Sequence, residues 1–313
     1  MAAEADPAFI DAMAAKLGAL VGDSENQRGL QRFGDFYTQL GAAGFFGKGP
    51  VTCDTPWPAL NELLTGGGFQ KGQLVIIGAR PGMGKSALAA QLGVHAAQQG
   101  CGTAVFSLEM AAGEYWRRTI SNLSRVSLGR LHREPSYRDP EGRDVLVSMD
   151  RLTNLPIWVD ETTALSVSGL NARVRRLVSR GHPIGLVIVD YLGLLTVARG
   201  RQNRVEEVSE ITRGLKLASR ELKVPFVVLS QLSRESEKEE RSPRLTDLRE
   251  SGSVEQDADI VAFLHQDRKE RQAAVAERRP GLMQIAVAKQ RNGPVGSVKV
   301  LFDAPRMRMD EAG

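Results

Sequence analysis

Residues 78–86 read GARPGMGKS and follow directly on the apolar run LVII at 74–77. A glycine-rich turn between a buried strand and a helix lets backbone N–H groups converge on phosphate oxygens. Lys85 adds a positive charge to that loop, and the Ser86 hydroxyl can ligate Mg²⁺. The Ala-rich stretch that follows, stopped by Gly100, supplies a helix whose amino end faces the phosphates. The sequence therefore predicts a phosphate-binding loop, the P-loop, which points to ATP and Mg²⁺ as ligands.

One position of this loop departs from the strict GxxxxGK pattern. That pattern requires glycine five residues before Gly84, where this chain has Ala79. A chance glycine-rich loop is the alternative interpretation, but the flanking strand and helix both favour a nucleotide site. The predicted nucleotide-binding residues are Arg80, Pro81, Gly82, Met83, Gly84, Lys85, Ser86 and Ala87.

Length and composition narrow the class of protein. A chain of 313 residues can bury a large core without disulfides or a structural metal. Its two cysteines, Cys53 and Cys101, lie far apart, and its four histidines lack metal-ligand spacing. No apolar run reaches the length of a membrane span, and the acidic N-terminus is unlike a signal peptide, so we expect a cytoplasmic protein without membrane contact. The net charge of +4 permits a polyanionic partner but does not indicate one.

The chain divides into two parts of different character. Residues 1–50 predict a short helical arm and a Gly-rich linker, and residues 51–313 predict a single larger domain. The arm is too short for a robust domain, so it either folds back on its own core or docks on a neighbouring subunit. Its apolar residues recur at helical spacing: Phe9, Ile10, Met13, Leu17 and Leu20.

Strands and helices alternate after residue 50. Continuous apolar runs such as GLVIVDY and PFVVLSQ belong in a sheet covered on both faces, so we expect an α/β fold with a doubly wound, mostly parallel sheet. The last two strands lack a helix between them and predict an antiparallel edge. Strands are predicted at 73–77, 103–108, 157–159, 186–190, 226–230, 260–265, 283–289 and 297–302. Helices are predicted at 85–99, 113–126, 167–180 and 205–222.

Three polar residues end predicted strands, where open α/β sheets place their ligands. Asp190 closes the run LVIVD and can hold Mg²⁺, as in a Walker B strand. Glu109 in FSLEM can orient and deprotonate a water molecule, and Gln231 in VVLSQ can hydrogen-bond the γ-phosphate. Each alone could be an ordinary strand-terminal residue, but all three in this order after a P-loop favour a hydrolytic site.

A basic pair lies late in the chain, in KQRNGP at 289–294. The strand before it delivers Lys289 and Arg291 to one face ahead of a turn. Two cations there could clamp a γ-phosphate as an arginine finger. A solvated basic hairpin is the alternative interpretation.

Together these segments resemble the C-terminal motor domain of DnaB-type replicative DNA helicases, which are RecA-fold, ring-forming ATPases. The likeness covers residues 54–302, and the family also carries Ala before Arg-Pro in its P-loop. It rests on six motifs in order: ARPGMGKS, FSLEM, VIVDYLGLL, LSQLSRE, DLRESGSVEQDADIV and KQRNGPVGSV.

The resemblance implies a role for each of these residues. Asp190 is the Walker B acid, Glu109 the catalytic base and Gln231 the γ-phosphate sensor. Lys289 and Arg291 would reach the nucleotide of the adjacent subunit, so each active site would be shared within a ring, expected to be a homohexamer.

The resemblance also implies contacts to single-stranded DNA through loops that line the channel of the ring. An Arg side chain and backbone N–H groups can grip phosphates without reading bases. The matching positions are Arg234, Arg249, Glu250 and Gly252. Weaker candidates follow the Walker B strand, where a solvated loop is the favoured interpretation: Arg199, Arg201 and Arg204.

One feature departs from the family. Nothing before Val51 is large enough for its N-terminal helical domain, so the family's loader and primase contacts are not carried over, and a loader or other replisome proteins stay open as partners. We expect an ATP-dependent DNA helicase that translocates on single-stranded DNA. Two alternatives stay open: a RecA-fold ATPase that does not unwind, such as a recombination mediator or clock-like protein, and a degenerate motor that regulates another helicase.

Overall fold

The computed structural model describes residues 51–133, 139–196, 204–232, 241–248 and 251–312. Its main element is a nine-stranded sheet in the order β11-β10-β9-β8-β3-β7-β6-β4-β5, and β1 and β2 form a separate antiparallel pair. The strands are β1 Val51–Cys53, β2 Phe69–Gln70, β3 Leu74–Ala79, β4 Gly102–Ser107, β5 Ile157–Asp160, β6 Ile184–Asp190, β7 Phe226–Gln231, β8 Ile260–His265, β9 Gly281–Gln290, β10 Gly296–Asp303 and β11 Arg308–Glu311.

Nine α-helices connect these strands in the described part of the chain. They are α1 Pro58–Leu63, α2 Lys85–Gln98, α3 Ala112–Ser124, α4 Leu128–Leu131, α5 Pro140–Thr153, α6 Val167–Ser179, α7 Arg204–Leu222, α8 Ser251–Asp257 and α9 Arg268–Ala276. No helix among them is long and apolar enough to cross a membrane.

The predicted architecture is confirmed. β8, β3, β7, β6, β4 and β5 run parallel, and β9, β10 and β11 extend the sheet as an antiparallel edge. All eight predicted strands and four predicted helices are present, with ends that differ by a residue or two in most cases. The sequence pattern missed the helices α5 and α9 and several shorter elements, among them β1, β2 and β11. The division at residue 50 stays a prediction, since residues 1–50 lie outside the described part.

Helices cover both faces of the sheet because the central strands are apolar on both sides. In β3, Val75 and Ile77 join one core with Leu88 and Leu92 of α2. The alternate residues Leu74 and Ile76 join a second core on the other face with residues of α6 and α7. Strands this fully buried hold their ends in fixed positions, so the loops at the carboxyl edge of the sheet start from a rigid base.

Candidate active site

The P-loop lies between β3 and α2, as predicted. Gly82 and Gly84 adopt positive φ angles of 72° and 79°, a conformation that side chains disfavour. At Gly84 a Cβ atom would also lie 2.7 Å from Phe302 Cζ and 2.8 Å from Met309 Cε, both on the antiparallel edge. The glycine is therefore needed twice: it permits the turn, and it lets β10 and β11 pack close to the loop.

Asp190 at the end of β6 meets the P-loop directly. The Ser86 Oγ donates a hydrogen bond of 2.6 Å to Asp190 Oδ2, and Lys85 Nζ lies 4.0 Å from Asp190 Oδ1. The carboxylate is buried, with 3% of its residue surface exposed, and Oδ1 has no hydrogen-bond partner among the described residues. A buried carboxylate oxygen without a partner is costly, so the site is suited to receive a cation or a donor there.

These groups fit a Mg²⁺ ion that also binds phosphate. Mg²⁺ prefers oxygen ligands and is held in nucleotide sites by one or two protein groups together with phosphates and water. The Ser86 hydroxyl and the Asp190 carboxylate are such oxygens, already in contact. Among the described residues there is no cluster of three or more Asp, Glu, His or Cys side chains that could hold a metal unaided.

Lys85 is the principal cation of the loop. Its Nζ lies 4.7 Å from the centre of the Tyr191 ring. Burial lowers the pKa of Lys85 below its ordinary value, while the carboxylates of Asp190 and Glu109 oppose that shift. Burial of the amine therefore disfavours its charged form, and the two carboxylates offset part of that effect.

A cavity of about 470 Å³ opens beside the loop and is lined by most of the predicted residues, but not by Met83 or Asp190, which are both buried. Glu109 contributes an exposed side chain just after β4, and its backbone N–H donates to the carbonyl of Asp190 at 3.3 Å. Gln231 ends β7 in register with Ala79 of β3. The cavity is lined by Ala79, Arg80, Pro81, Gly82, Gly84, Lys85, Ser86, Ala87, Glu109, Met110, Ala111, Glu114, Arg118, Gln231 and Met307.

Sequence reasoning missed Glu114 and Arg118 of α3. They line the same cavity, and Arg118 Nη2 donates to Glu114 Oε1 at 2.6 Å. The signal was present in the sequence: α3 starts shortly after Glu109, and an acid and a base four residues apart share one face of a helix.

Lys289 and Arg291 lie at the side of the sheet where the parallel strands begin, opposite the P-loop. Gln290 pairs with Ile260 and Ile260 with Val75, which places this end of β9 level with the beginning of β3, whereas the P-loop follows its end. The six residues of β3 span about 20 Å at roughly 3.3 Å per residue. Within one chain, the pair is remote from the P-loop.

Both cations point to the carboxyl end of α8, as their predicted shared face requires. Lys289 Nζ donates to the carbonyls of Ala258, at 2.8 Å, and Glu255. Burial lowers the pKa of Lys289, and the nearby Arg291 lowers it further. Arg291 contacts the Gln256 carbonyl at 3.1 Å and Asp259 at 3.3 Å.

Most of the predicted DNA contacts lie outside the described part of the chain. Arg234, Arg249 and Glu250 lie outside the described residues, as do Arg199 and Arg201. The backbone of Gly252 lies in α8, and α7 begins at Arg204.

Known proteins match most of the described chain. A family model for the DnaB-like helicase C terminal domain matches residues 53–311. The replicative DNA helicase DnaB of Geobacillus stearothermophilus is 39% identical over 75% of this chain and 51% of its own length. The replicative DNA helicase DnaC of Bacillus subtilis is 39% identical over 82% of this chain and 56% of its own length. This chain thus spans about half the length of these relatives.

Solved structures share the fold. One of them, an isolated ATPase domain, superposes with a TM-score of 0.81 at 27% identity and covers 91% of this chain and 100% of that domain. A DnaB-like replicative helicase, solved in a study of its interactions with primase, gives a TM-score of 0.77 at 27% identity over 89% of this chain and 65% of its own. The predicted RecA-like fold is confirmed.

Proposed function

This chain belongs to the family of DnaB-like helicase C-terminal domains, and we propose that it is an ATP-driven, ring-forming motor that translocates on single-stranded DNA and unwinds duplex DNA. One observation carries the proposal: the P-loop and Arg291 lie at opposite edges of one sheet. A single chain therefore has two half-sites: the P-loop, which receives the nucleotide, and Arg291, which is donated to a neighbour. The distance between them prevents one chain from combining its own two half-sites. A closed ring of copies, here a homohexamer, joins them at every interface.

The receiving half-site binds and activates the nucleotide. Lys85 and the loop N–H groups bind the phosphates, and the residues that would hold Mg²⁺ are Ser86 and Asp190, through their oxygen atoms. When bound there, Mg²⁺ would supply positive charge against the phosphates. Glu109, exposed in the cavity, accepts the proton of the attacking water. Gln231 hydrogen-bonds the γ-phosphate and links its presence to the segment that follows β7.

The donating half-site is Arg291 with Lys289 beside it. Arg291 is the member suited to reach a neighbouring subunit, because 49% of its side-chain surface is exposed. A guanidinium placed against transferring phosphates stabilises the charge of the transition state.

DNA contact and the cellular setting are part of the same proposal. Arg234 and Arg249 would grip the DNA backbone in the channel of the ring through their side chains, and Glu250 and Gly252 through backbone N–H groups. The replicative names of the relatives favour a role in DNA replication, in the cytoplasm and beside other replisome proteins such as a loader.

A mixing experiment tests the shared site. Lys85→Ala removes the loop cation, so that chain can donate Arg291 but cannot use its own nucleotide. An Arg291→Ala chain binds ATP but gives its neighbour no finger, a loss of about 10³–10⁵ in rate. Each variant alone should be nearly inactive, whereas mixed rings should recover ATPase activity at interfaces that combine an intact Lys85 with an intact Arg291. Normal turnover by Arg291→Ala chains, or by a proven wild-type monomer, would overturn the shared site.

The motor itself is tested with wild-type rings, sized by light scattering. Single-stranded DNA should stimulate ATP turnover, and a forked duplex should be unwound only with hydrolysable ATP. Stimulation without unwinding would instead favour a non-unwinding RecA-fold ATPase. ATP binding with neither activity would favour a degenerate motor.

A further inference from the structure

Asp259 lies between the end of α8 and the start of β8, beside the proposed arginine finger. Only 8% of its surface is exposed. Its backbone N–H donates to the Leu74 carbonyl at 2.9 Å, and its own carbonyl accepts the Arg291 N–H at 2.8 Å. The backbone of Arg291 is therefore fixed by the same residue that its guanidinium contacts.

The two oxygens of the Asp259 carboxylate have different partners. Oδ2 accepts the Leu74 N–H at 2.8 Å and the Lys216 Nζ at 2.6 Å. Oδ1 accepts Arg291 Nη1 at 3.3 Å. Lys216 is anchored from a second side as well, because its Nζ donates to the Gly72 carbonyl at 2.8 Å. The short contacts thus belong to Lys216, and the long one to Arg291.

This allocation limits how strongly Asp259 can hold Arg291. An Arg–carboxylate pair is strongest when two parallel N–H groups donate to both oxygens. Lys216 and Leu74 already use Oδ2, so Arg291 is left with one long contact to the carboxylate. The guanidinium remains half exposed at a cavity of about 320 Å³.

We propose that Lys216 is a positioning residue that keeps Arg291 available to the neighbouring subunit by competing for the Asp259 carboxylate. The inference rests on the proposed shared site and adds a residue to it. Without Lys216, Oδ2 keeps only the Leu74 N–H and can accept a second N–H from Arg291, so that a bidentate pair retains the finger on its own chain. The phosphate of the neighbouring nucleotide must then break a stronger ion pair to recruit it.

Lys216→Met should therefore lower the turnover of the ring but leave ATP affinity unchanged. One additional hydrogen bond between charged groups is enough to reduce the fraction of available finger by about 10- to 100-fold. We expect kcat to fall by that factor. The Kd of a fluorescent ATP analogue for the P-loop should stay at the wild-type value. Lys299→Met, an exposed change of the same charge on β10, is the matched control and should keep wild-type kcat.

Mixed rings show whether Lys216 acts on the donating side. Lys85→Ala chains serve only as finger donors, and Arg291→Ala chains serve only as nucleotide sites. Lys216→Met placed in the donors should reduce the recovered activity by the same factor, whereas in the acceptors it should have no effect. An equal loss from either placement would show a general structural role and overturn the proposal.

Rescue by a second substitution completes the test. Asp259→Asn in the Lys216→Met donor removes the charge that captures Arg291, so activity should return towards that of the unmodified donor. A structural role predicts a further loss instead.

If Lys216→Met does not fold, Lys216→Gln keeps an amide donor for the Gly72 carbonyl and makes the same test. If donor activity is normal without Lys216 while Arg291→Ala abolishes it, this inference alone fails. If Arg291→Ala is itself active, the shared site fails first.

Discussion

The charged groups at the two ends of the parallel strands are held in opposite ways. We call the side where these strands end the carboxyl edge, and the side where they begin the amino edge. At the carboxyl edge, Asp190 is buried with an oxygen that lacks a partner among the described residues, and Lys85 is desolvated among carboxylates. At the amino edge, the cations already have partners: Lys216 binds Asp259, and Lys289 binds two carbonyls. Arg291 is the most exposed of these three cations.

The difference follows from what each edge has to do. A site that receives a polyanion with its metal needs unsatisfied groups held in place before the ligand arrives. A group that must leave its own chain to act on another needs partners weak enough to be exchanged. The groups at the carboxyl edge are therefore preorganised for the ligand. At the amino edge, Arg291 can exchange its contacts within the chain for contacts with a neighbouring subunit.

After the loss already expected for Arg291→Ala, the largest effect that can sharpen this contrast is expected at Glu109. Glu109→Gln keeps the shape of the side chain but removes its basicity, which should lower ATP turnover by about 10²–10⁴. ATP affinity should change little, because Lys85 and Ser86 are intact. Single-turnover hydrolysis and analogue binding, measured on the same rings, separate the two quantities. A variant that loses binding and turnover together would give Glu109 a structural role and weaken the division between the two edges.

The contrast was only partly visible in the sequence. Asp190, Glu109 and Gln231 end strands that their apolar runs predict, so their convergence at one edge followed from parallel strand order. Lys289 and Arg291 were also predicted to share a face. Both inferences need only the period of a strand and the direction of the chain.

The partners of the amino edge could not be predicted in the same way. Asp259 and Lys216 are 43 residues apart in the chain and meet only because α7 and β8 pack beside β3. No local pattern encodes that contact. The packing of Phe302 against Gly84 is equally non-local, and β11 was missed because its sequence, RMDE, lacks an apolar run.

A substitution at Gly84 tests how rigid the carboxyl edge has to be. Gly84→Ala forces a side chain into a positive φ, at a cost of about 1–3 kcal/mol, and also displaces Phe302 or Met309. Gly100→Ala is the matched control, because its φ of +81° is almost the same and no atom lies within 4 Å of the added Cβ. We expect Gly84→Ala to lower the thermal midpoint more than Gly100→Ala and to weaken nucleotide binding as well. Equal losses in both variants would show that the antiparallel edge does not support the loop.

The smallest expected effect is at Lys289, and it distinguishes the roles of the two cations Lys289 and Arg291 at the amino edge. Lys289→Met removes the donor of two carbonyls at the end of α8, which should cost about 1 kcal/mol of unfolding free energy because water can reach a half-buried site. Arg291→Ala removes a half-exposed guanidinium from Asp259, which keeps its shorter contact with Lys216, so stability should change less. For ATP turnover the order should reverse, with Arg291→Ala much the more harmful. Denaturant unfolding ranks the two variants by loss of stability, and ATPase rates rank them by loss of turnover. A different outcome would be that Lys289→Met leaves stability unchanged but abolishes turnover as fully as Arg291→Ala. In that case the Lys289 amine leaves the Glu255 and Ala258 carbonyls to bind the phosphate of the neighbouring nucleotide. The amino edge would then donate two cations instead of one.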